Sequence, residues 1–302
     1  GGTDTLDFSA VPYAFRFTFN DQGFTGYYDG NNSITYNGQG VEFLISGAKD
    51  DYFYFEENSK LPIFIEAGDG VDTLDYSGYA VGVIVDLSQG MASGTAAIAG
   101  FENIIGSAYD DMLTGDDRSN RIIGGAGNDT LSGMGGDDYY IFDNTYGADF
   151  GQDEIIETLA DGNDTVDFSA YIGALTFIYD NISLTVSSGE SGVKFSRADL
   201  ENVIGNNGRY TFKLLDGATI SDGTLVGGAD WAVLDISDYT APLEIILTGL
   251  GGEHGFAGTI TGVLLGFDNL DEIIGSGAAG DTLMGLNASS NWVLADSGSI
   301  YT

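Results

Sequence analysis

The chain has 302 residues, with 46 Asp and Glu against 9 Lys and Arg, a formal net charge of −37. Self-repulsion on that scale opposes compaction unless cations or salt offset it, and it disfavours nucleic acid and anionic membrane surfaces as partners. Apolar residues at 43% exclude a disordered tail, the absence of Cys excludes disulfides and thiol chemistry, and no apolar run approaches the roughly 18 residues of a membrane helix.

Two sequence landmarks alternate along the chain. The first reads GTDTLDFSA at Gly2, GVDTLDYSG at Gly70, GNDTVDFSA at Gly162 and GADWAVLDIS at Gly228. The second reads VEFLISG at Val41, FENIIGS at Phe101, LENVIGN at Leu200 and LDEIIGS at Leu270. They divide the chain into four related units, 1–69, 70–161, 162–227 and 228–302, expected to form one continuous solenoid. Between landmarks run alternating stretches: Phe15, Phe17 and Phe19; then Val81, Val83 and Val85; then Leu175, Phe177 and Tyr179; then Leu243, Ile245 and Leu247. Period-two alternation predicts half-buried strands. The best helix candidate, Ser196–Glu201, is short. The expected fold is all-β, a parallel β-solenoid or β-roll of short strands and Gly/Asp turns, with a β-sandwich array as the competitor.

The second unit is longer than its neighbours because it contains four contiguous nonapeptides, GSAYDDMLT, GDDRSNRII, GGAGNDTLS and GMGGDDYYI, over Gly106–Ile141. Each opens on Gly, carries Asp or Asn at its sixth place (Asp111, Asn120, Asp129, Asp138) and an apolar residue at its eighth (Leu113, Ile122, Leu131, Tyr140). Glycine permits tight turns, and clustered oxygen donors without His or Cys suit calcium rather than a transition metal. The eighth residue is expected in a very short strand, pointing into the core. GGAGNDTLS fits the pattern G-G-x-G-x-D-x-U-x at every defined place, and GMGGDDYYI departs from it at Met134.

This block resembles the haemolysin-type, or RTX, calcium-binding repeat family, closely over about an eighth of the chain. The resemblance implies a β-roll with two repeats per turn and calcium between loops one turn apart. Asp111 would then share a site with Asp129, and Asn120 with Asp138. Carbonyls around Gly124, Ala126, Gly127, Gly133 and Gly135 would complete the shells. The alternative is an Asp/Gly turn ladder without a ligand. Weaker echoes place calcium candidates at Asp72 with Asp69, and at Asp164 with Asp161; Asp153, Asp4, Asp230 and Asp281 sit in poorer loops. For all of these the alternative is an Asx-turn, in which the carboxylate bonds its own backbone.

Catalysis finds little support. The single histidine, His254, lies in a Gly-rich loop and cannot supply a metalloprotease pair, and no Gly-x-Ser-x-Gly elbow is present. Adjacent carboxylates such as Glu56 and Glu57 leave a glycosidase pair open, although this acidity produces such pairs by chance. The clusters FRFTF at Phe15 and YFYF at Tyr52, with Trp231 and Trp292, are expected in the core or in cross-strand pairs rather than on sugars.

The expectation is a non-enzymatic, extracellular, calcium-binding structural or adhesive protein: a surface-layer, adhesin or filament component. Loose likeness of Asp281–Tyr301 to repetitive bacterial surface proteins adds to it. Such a protein would self-associate end to end or laterally, with cell-surface polysaccharide a further candidate partner. With no signal peptide at Gly1, it would be a piece of a longer protein, exported without a cleaved leader. The alternatives are a calcium-dependent secretion and folding module of an enzyme or toxin, and a carbohydrate-binding solenoid.

Overall fold

A three-residue strand between glycine turns presents a single inward side chain. It persists only when each strand stacks on the next coil. The computed structural model of the protein describes all residues except 1, 31, 39, 58, 62, 146–149, 158–161, 181–182, 190, 197–200, 207, 287–299 and 302, and the side chains at 196, 221, 222, 300 and 301 also lie outside the described set. Among the described residues every regular element is a strand, and no helix is long and apolar enough to cross a membrane. The chain divides into two units: Gly1–Ile141 with Thr145–Gly162, and Phe142–Asn144 with Asn163–Thr302.

The first unit is built from three parallel ladders. One joins Thr5–Asp7, Phe43–Ile45, Phe64–Glu66 and Ala97–Ala99. The second joins Phe15–Asn20, Tyr52–Phe55, Thr73–Asp75, Asn103–Ile105, Arg121–Ile123 and Tyr139–Ile141. The third joins Ile84–Asp86, Met112–Thr114, Thr130–Ser132 and Gln152–Ile155. Through the nonapeptides the chain alternates between the second and third ladders. Met112 therefore pairs with Thr130, and Arg121 with Tyr139, so two repeats make one turn of a β-roll. Leu113, Ile122, Leu131 and Tyr140 all point into the core.

The second unit repeats the plan. Thr165–Asp167, Asn202–Ile204, Ile220–Val226 and Leu264–Leu270 form one parallel ladder. Thr176–Tyr179, Tyr210–Leu214, Ala232–Asp235 and Glu272–Ile274 form another.

Alternation does not encode strand direction, and here the fold is richer than a plain solenoid. Antiparallel meanders leave the coil at Phe15–Asn37, Thr176–Ser196 and Glu244–Leu270. At the first turn of the first meander, Asn20 Oδ1 accepts the Gln22 and Gly23 N–H groups; at its second, Asp29 and Gly30 adopt φ of 52° and 67°.

The two sequence landmarks prove to be partners. Thr5–Asp7 pairs with Phe43–Ile45, Thr73–Asp75 with Asn103–Ile105, Thr165–Asp167 with Asn202–Ile204, and Ala232–Asp235 with Glu272–Ile274, always in parallel. The acid of the second landmark accepts an N–H from the first each time: Glu42 from Asp4 at 2.8 Å, Glu102 from Asp72 at 2.9 Å, Glu201 from Asp164 at 2.7 Å, and Asp271 from Ala232 at 2.9 Å. The final Asp of each first landmark closes an Asx-turn onto the Ser two residues on, at Asp7, Asp75, Asp167 and Asp235.

Phe15, Phe17, Phe19, Phe53 and Phe55 form a buried aromatic stack, as expected for core rather than for sugar contact. Two expectations need correction. Val81 is exposed, because it lies in a turn ahead of the strand Ile84–Asp86. Trp231 is 42% exposed, on the rim of a loop, with its indole N–H donating to Glu272. Trp292 and most of the helix candidate lie outside the described residues, and Ser196 ends the strand Ser191–Ser196. Truncating Phe53, fully buried between Phe17 and Phe101, should cost about 3–5 kcal/mol in Phe53→Ala, read as a lower urea midpoint.

Candidate metal centre

The residue just before each short strand sits where consecutive coils touch. Its side chain meets the N–H of the equivalent residue one coil earlier. In the third ladder Asp111 Oδ1 accepts from Val83 at 2.7 Å, Asp129 Oδ1 from Asp111 at 2.9 Å, and Asp153 Oδ1 from Asp129 at 2.8 Å. In the second ladder Asp51 Oδ1 accepts from Phe15 at 2.6 Å, Asp72 Oδ1 from Asp51 at 2.7 Å, and Asp138 Oδ1 from Asn120 at 2.7 Å. Asp51, Asp72, Asp111, Asn120, Asp129, Asp138 and Asp153 are all buried. The pairs expected from the sequence, Asp111 with Asp129 and Asn120 with Asp138, are thus brought together.

Glycine makes room for these columns. A Cβ at Gly106, Gly115, Gly124 or Gly133 would collide with the side-chain oxygen of Asp111, Asn120, Asp129 or Asp138, the sixth residue of the same repeat. The carbonyl oxygens of Gly124 and Gly133 lie against Gly106 and Gly115 one coil earlier. Gly125, Gly127 and Gly136 take φ of 104°, 123° and 96°, a backbone that L side chains avoid. Met134 takes φ of 80° at the place where the repeat calls for glycine. Gly106–Ile123 contains no positive φ, so the turn geometry of the strong motif belongs to the last two repeats. Ala126 and Gly127 are half-buried in that turn, and Gly133 and Gly135 are buried.

Burial without a counter-charge is costly for a carboxylate. Asp111 already has several donors: the Val83 N–H, and the Ser107 N–H and hydroxyl. Asp129 Oδ2 and Asp72 Oδ2 are buried and accept no hydrogen bond. Burial pushes Asp129 and Asp72 up to about 7 and Asp111 up to about 6, with neighbouring carboxylates adding to each shift. A hard cation would restore the charged form of these groups. Among the described residues no three His, Cys, Asp or Glu side chains converge. A carboxylate pair would therefore share the ion with backbone carbonyls and water, an all-oxygen donor set that fits calcium. Arg118 does not compete, since it pairs with Glu102 and Asp116.

The weaker candidates separate. Asp69 is exposed between Gly68 and Gly70, so its side chain faces away from the buried Asp72. Asp161 lies outside the described residues; Asp164 is buried, with its N–H on Glu201. Asp4 and Asp230 are exposed. Asp230 is also out of register, because Ala232 occupies the position equivalent to Asp72, as its contact with Asp271 shows. Asp281 accepts N–H groups from Leu243 and Ser276. The sequence reading passed over Asp51, whose signal is a serine shortly before it: SGAKDD echoes SAYDD at Ser107 and SGAAGD at Ser276. His254 joins Asp271 and the Gly228 carbonyl through its two ring nitrogens, as a loop clasp.

Two outcomes follow from this geometry. Met134→Gly relieves a left-handed L residue and should raise stability by about 1 kcal/mol, measured by urea unfolding in calcium. The second concerns pH. Asp72, Asp111 and Asp129 have folded pKa values above the unfolded 3.8, so the folded state binds more protons between about 4 and 7. Without calcium, stability should therefore fall as pH rises through that window. Calcium affinity should rise over the same window, because binding displaces those protons. Urea midpoints in chelator at pH 5.5 and 7.5, in salt high enough to screen the charge repulsion, beside calcium titrations at each pH, read both slopes.

Residues 114–144 match the family model for the RTX calcium-binding nonapeptide repeat (4 copies). No curated protein matches the chain. The matched stretch covers the last three nonapeptides, including both loops with left-handed glycines. This segment is an RTX calcium-binding repeat block, and the chain that carries it is a calcium-binding repeat protein of all-β, parallel-rolled architecture.

Proposed function

We propose that the protein is a non-enzymatic, extracellular structural or adhesive component whose folding and assembly depend on calcium. The observation that carries this reading is the stacked pair Asp111–Asp129, buried at a coil contact with one carboxylate oxygen unsatisfied. At a net charge of −37, such pairs hold the coils together only when positive charge enters between them. In low calcium, repulsion keeps the chain open and exportable. At extracellular calcium, binding to the folded state alone stabilises it by mass action.

Two surface features support self-association. Among the described residues the strand Asn32–Asn37 ends its sheet with a neighbour on one side only, and an open edge is a template for another chain. Ile84 and Met112, cross-strand neighbours on the third ladder, are exposed, as is Met91 on the strand Met91–Ala92 that pairs antiparallel with Ile84–Asp86. Circular dichroism and sedimentation of the chain with calcium and with chelator test the reading. The expected result is loss of strand signal on chelation at low salt, and assemblies larger than a monomer in calcium. Strand signal indifferent to chelation would remove the folding switch, and a monomer under both conditions would remove the assembly role.

A further inference from the structure

We infer that Asp51 and Asp72 form a calcium site outside the RTX block, made by the loops Ser46–Asp51 and Ala67–Asp72. It rests on the calcium reading of the block, yet neither loop falls within the matched residues 114–144. The two loops lie one coil apart, in a pair equivalent contact by contact to Gly106–Asp111 and Gly124–Asp129.

The correspondence is detailed. Gly68 and Gly70 take φ of 103° and 137°, against 104° and 123° at Gly125 and Gly127. The space beside Gly68 is filled by the Gly47 carbonyl, and that beside Gly125 by the Ser107 carbonyl. Gly70 packs on the backbone of Lys49 as Gly127 packs on that of Tyr109. Asp50 Oδ1 accepts the Val71 N–H at 3.0 Å, and Asp110 Oδ1 accepts the Asn128 N–H at 2.8 Å. In the upper loops a serine hydroxyl and one loop N–H engage the carboxylate: Ser46 and Gly47 on Asp51, and Ser107 on Asp111. In the lower loops Asp72 Oδ1 caps the Asp51 N–H as Asp129 Oδ1 caps that of Asp111. Asp72 is completely buried, and its Oδ2, like Asp129 Oδ2, has no protein partner.

A purely structural role for this pair is answered within the same chain. In the second unit Tyr210 and Ala232 are the paired residues at the corresponding places, both buried. There the Tyr210 hydroxyl accepts the Gly228 N–H, and neither paired residue is a carboxylate. The coil contact can therefore be closed by neutral groups. Two carboxylates buried at the same contact are stabilised by a cation between them, and the all-oxygen surroundings select a hard divalent one. At the first place of the lower loop the two sites differ by a methyl group: Ala67 stands where Gly124 makes room for Asp129. The Asp51–Asp72 site is consequently the weaker of the two.

Calorimetric titration of the whole chain with calcium tests the assignment through Asp72→Asn, Asp129→Asn and Ala67→Gly. Asn keeps the acceptor for the Asp51 N–H while removing the charge. Asp72→Asn should lower the number of bound ions by one, and Asp129→Asn should remove a different, tighter one. Ala67→Gly should tighten the weaker site several-fold without changing the count, which keeps the assignment testable if Asp72→Asn does not fold. A loss in Asp129→Asn with wild-type binding in Asp72→Asn, or unchanged affinity in Ala67→Gly, would overturn this site and leave the RTX reading intact. Wild-type binding in both Asn variants would overturn the calcium reading itself.

Discussion

Coil after coil is closed by a side-chain acceptor, buried at Asp51, Asp72, Asp111 and Asp129, set against the backbone N–H of the coil before it, and that contact governs the rest of the structure. Strands of three residues contribute one core side chain each, so stability must come from stacking. Stacking places equivalent residues in columns. Where the column residue is Asp, as at Asp111, Asp129 and Asp153, the same contact that pairs the backbone also concentrates negative charge away from water. Cation dependence is thus a consequence of the architecture as much as of any one loop.

The columns differ in how they settle this conflict. Glu102 takes the Asp72 N–H from a half-exposed position and meets Arg118. Asn120 halves the charge of its pair with Asp138. Tyr210 and Ala232 remove the charge altogether. Asp51–Asp72 and Asp111–Asp129 combine two buried carboxylates, left-handed glycines in the lower loop and an oxygen without a partner. The fold tolerates this range because the backbone contact itself is neutral, while the ion requirement is set locally.

The meanders have a separate role in packing. Phe15–Asn37 adds Phe24 to the aromatic stack that Phe17, Phe19, Phe53 and Phe55 begin. This apolar mass lies in the unit that carries both two-carboxylate sites. Dispersion and area burial there act without calcium, so the ion governs the coil contacts rather than the whole of the core.

The nonapeptides, the ion and the all-β class were legible in the sequence, because a fixed nine-residue period with glycine and Asp at set places admits few geometries. The eighth-place residues follow from that period, and the pairing of Asp111 with Asp129 from the resemblance to the RTX family, which implies two repeats per turn. The landmarks were visible too, but their parallel pairing was not, since identical short motifs do not state which strand lies beside which. Strand direction in the meanders was hidden because alternation is the same in parallel and antiparallel pairs. Asp51 was hidden because its loop keeps only Gly47 of the motif's glycines and its partner lies 21 residues away. Asp69 and Asp230 are exposed, which spacing could not foretell, because it does not say which side of a turn faces the next coil. Local chemistry determined what the loops can bind. Only the stacking of coils decided which loops meet, because contact across a solenoid depends on register between distant strands.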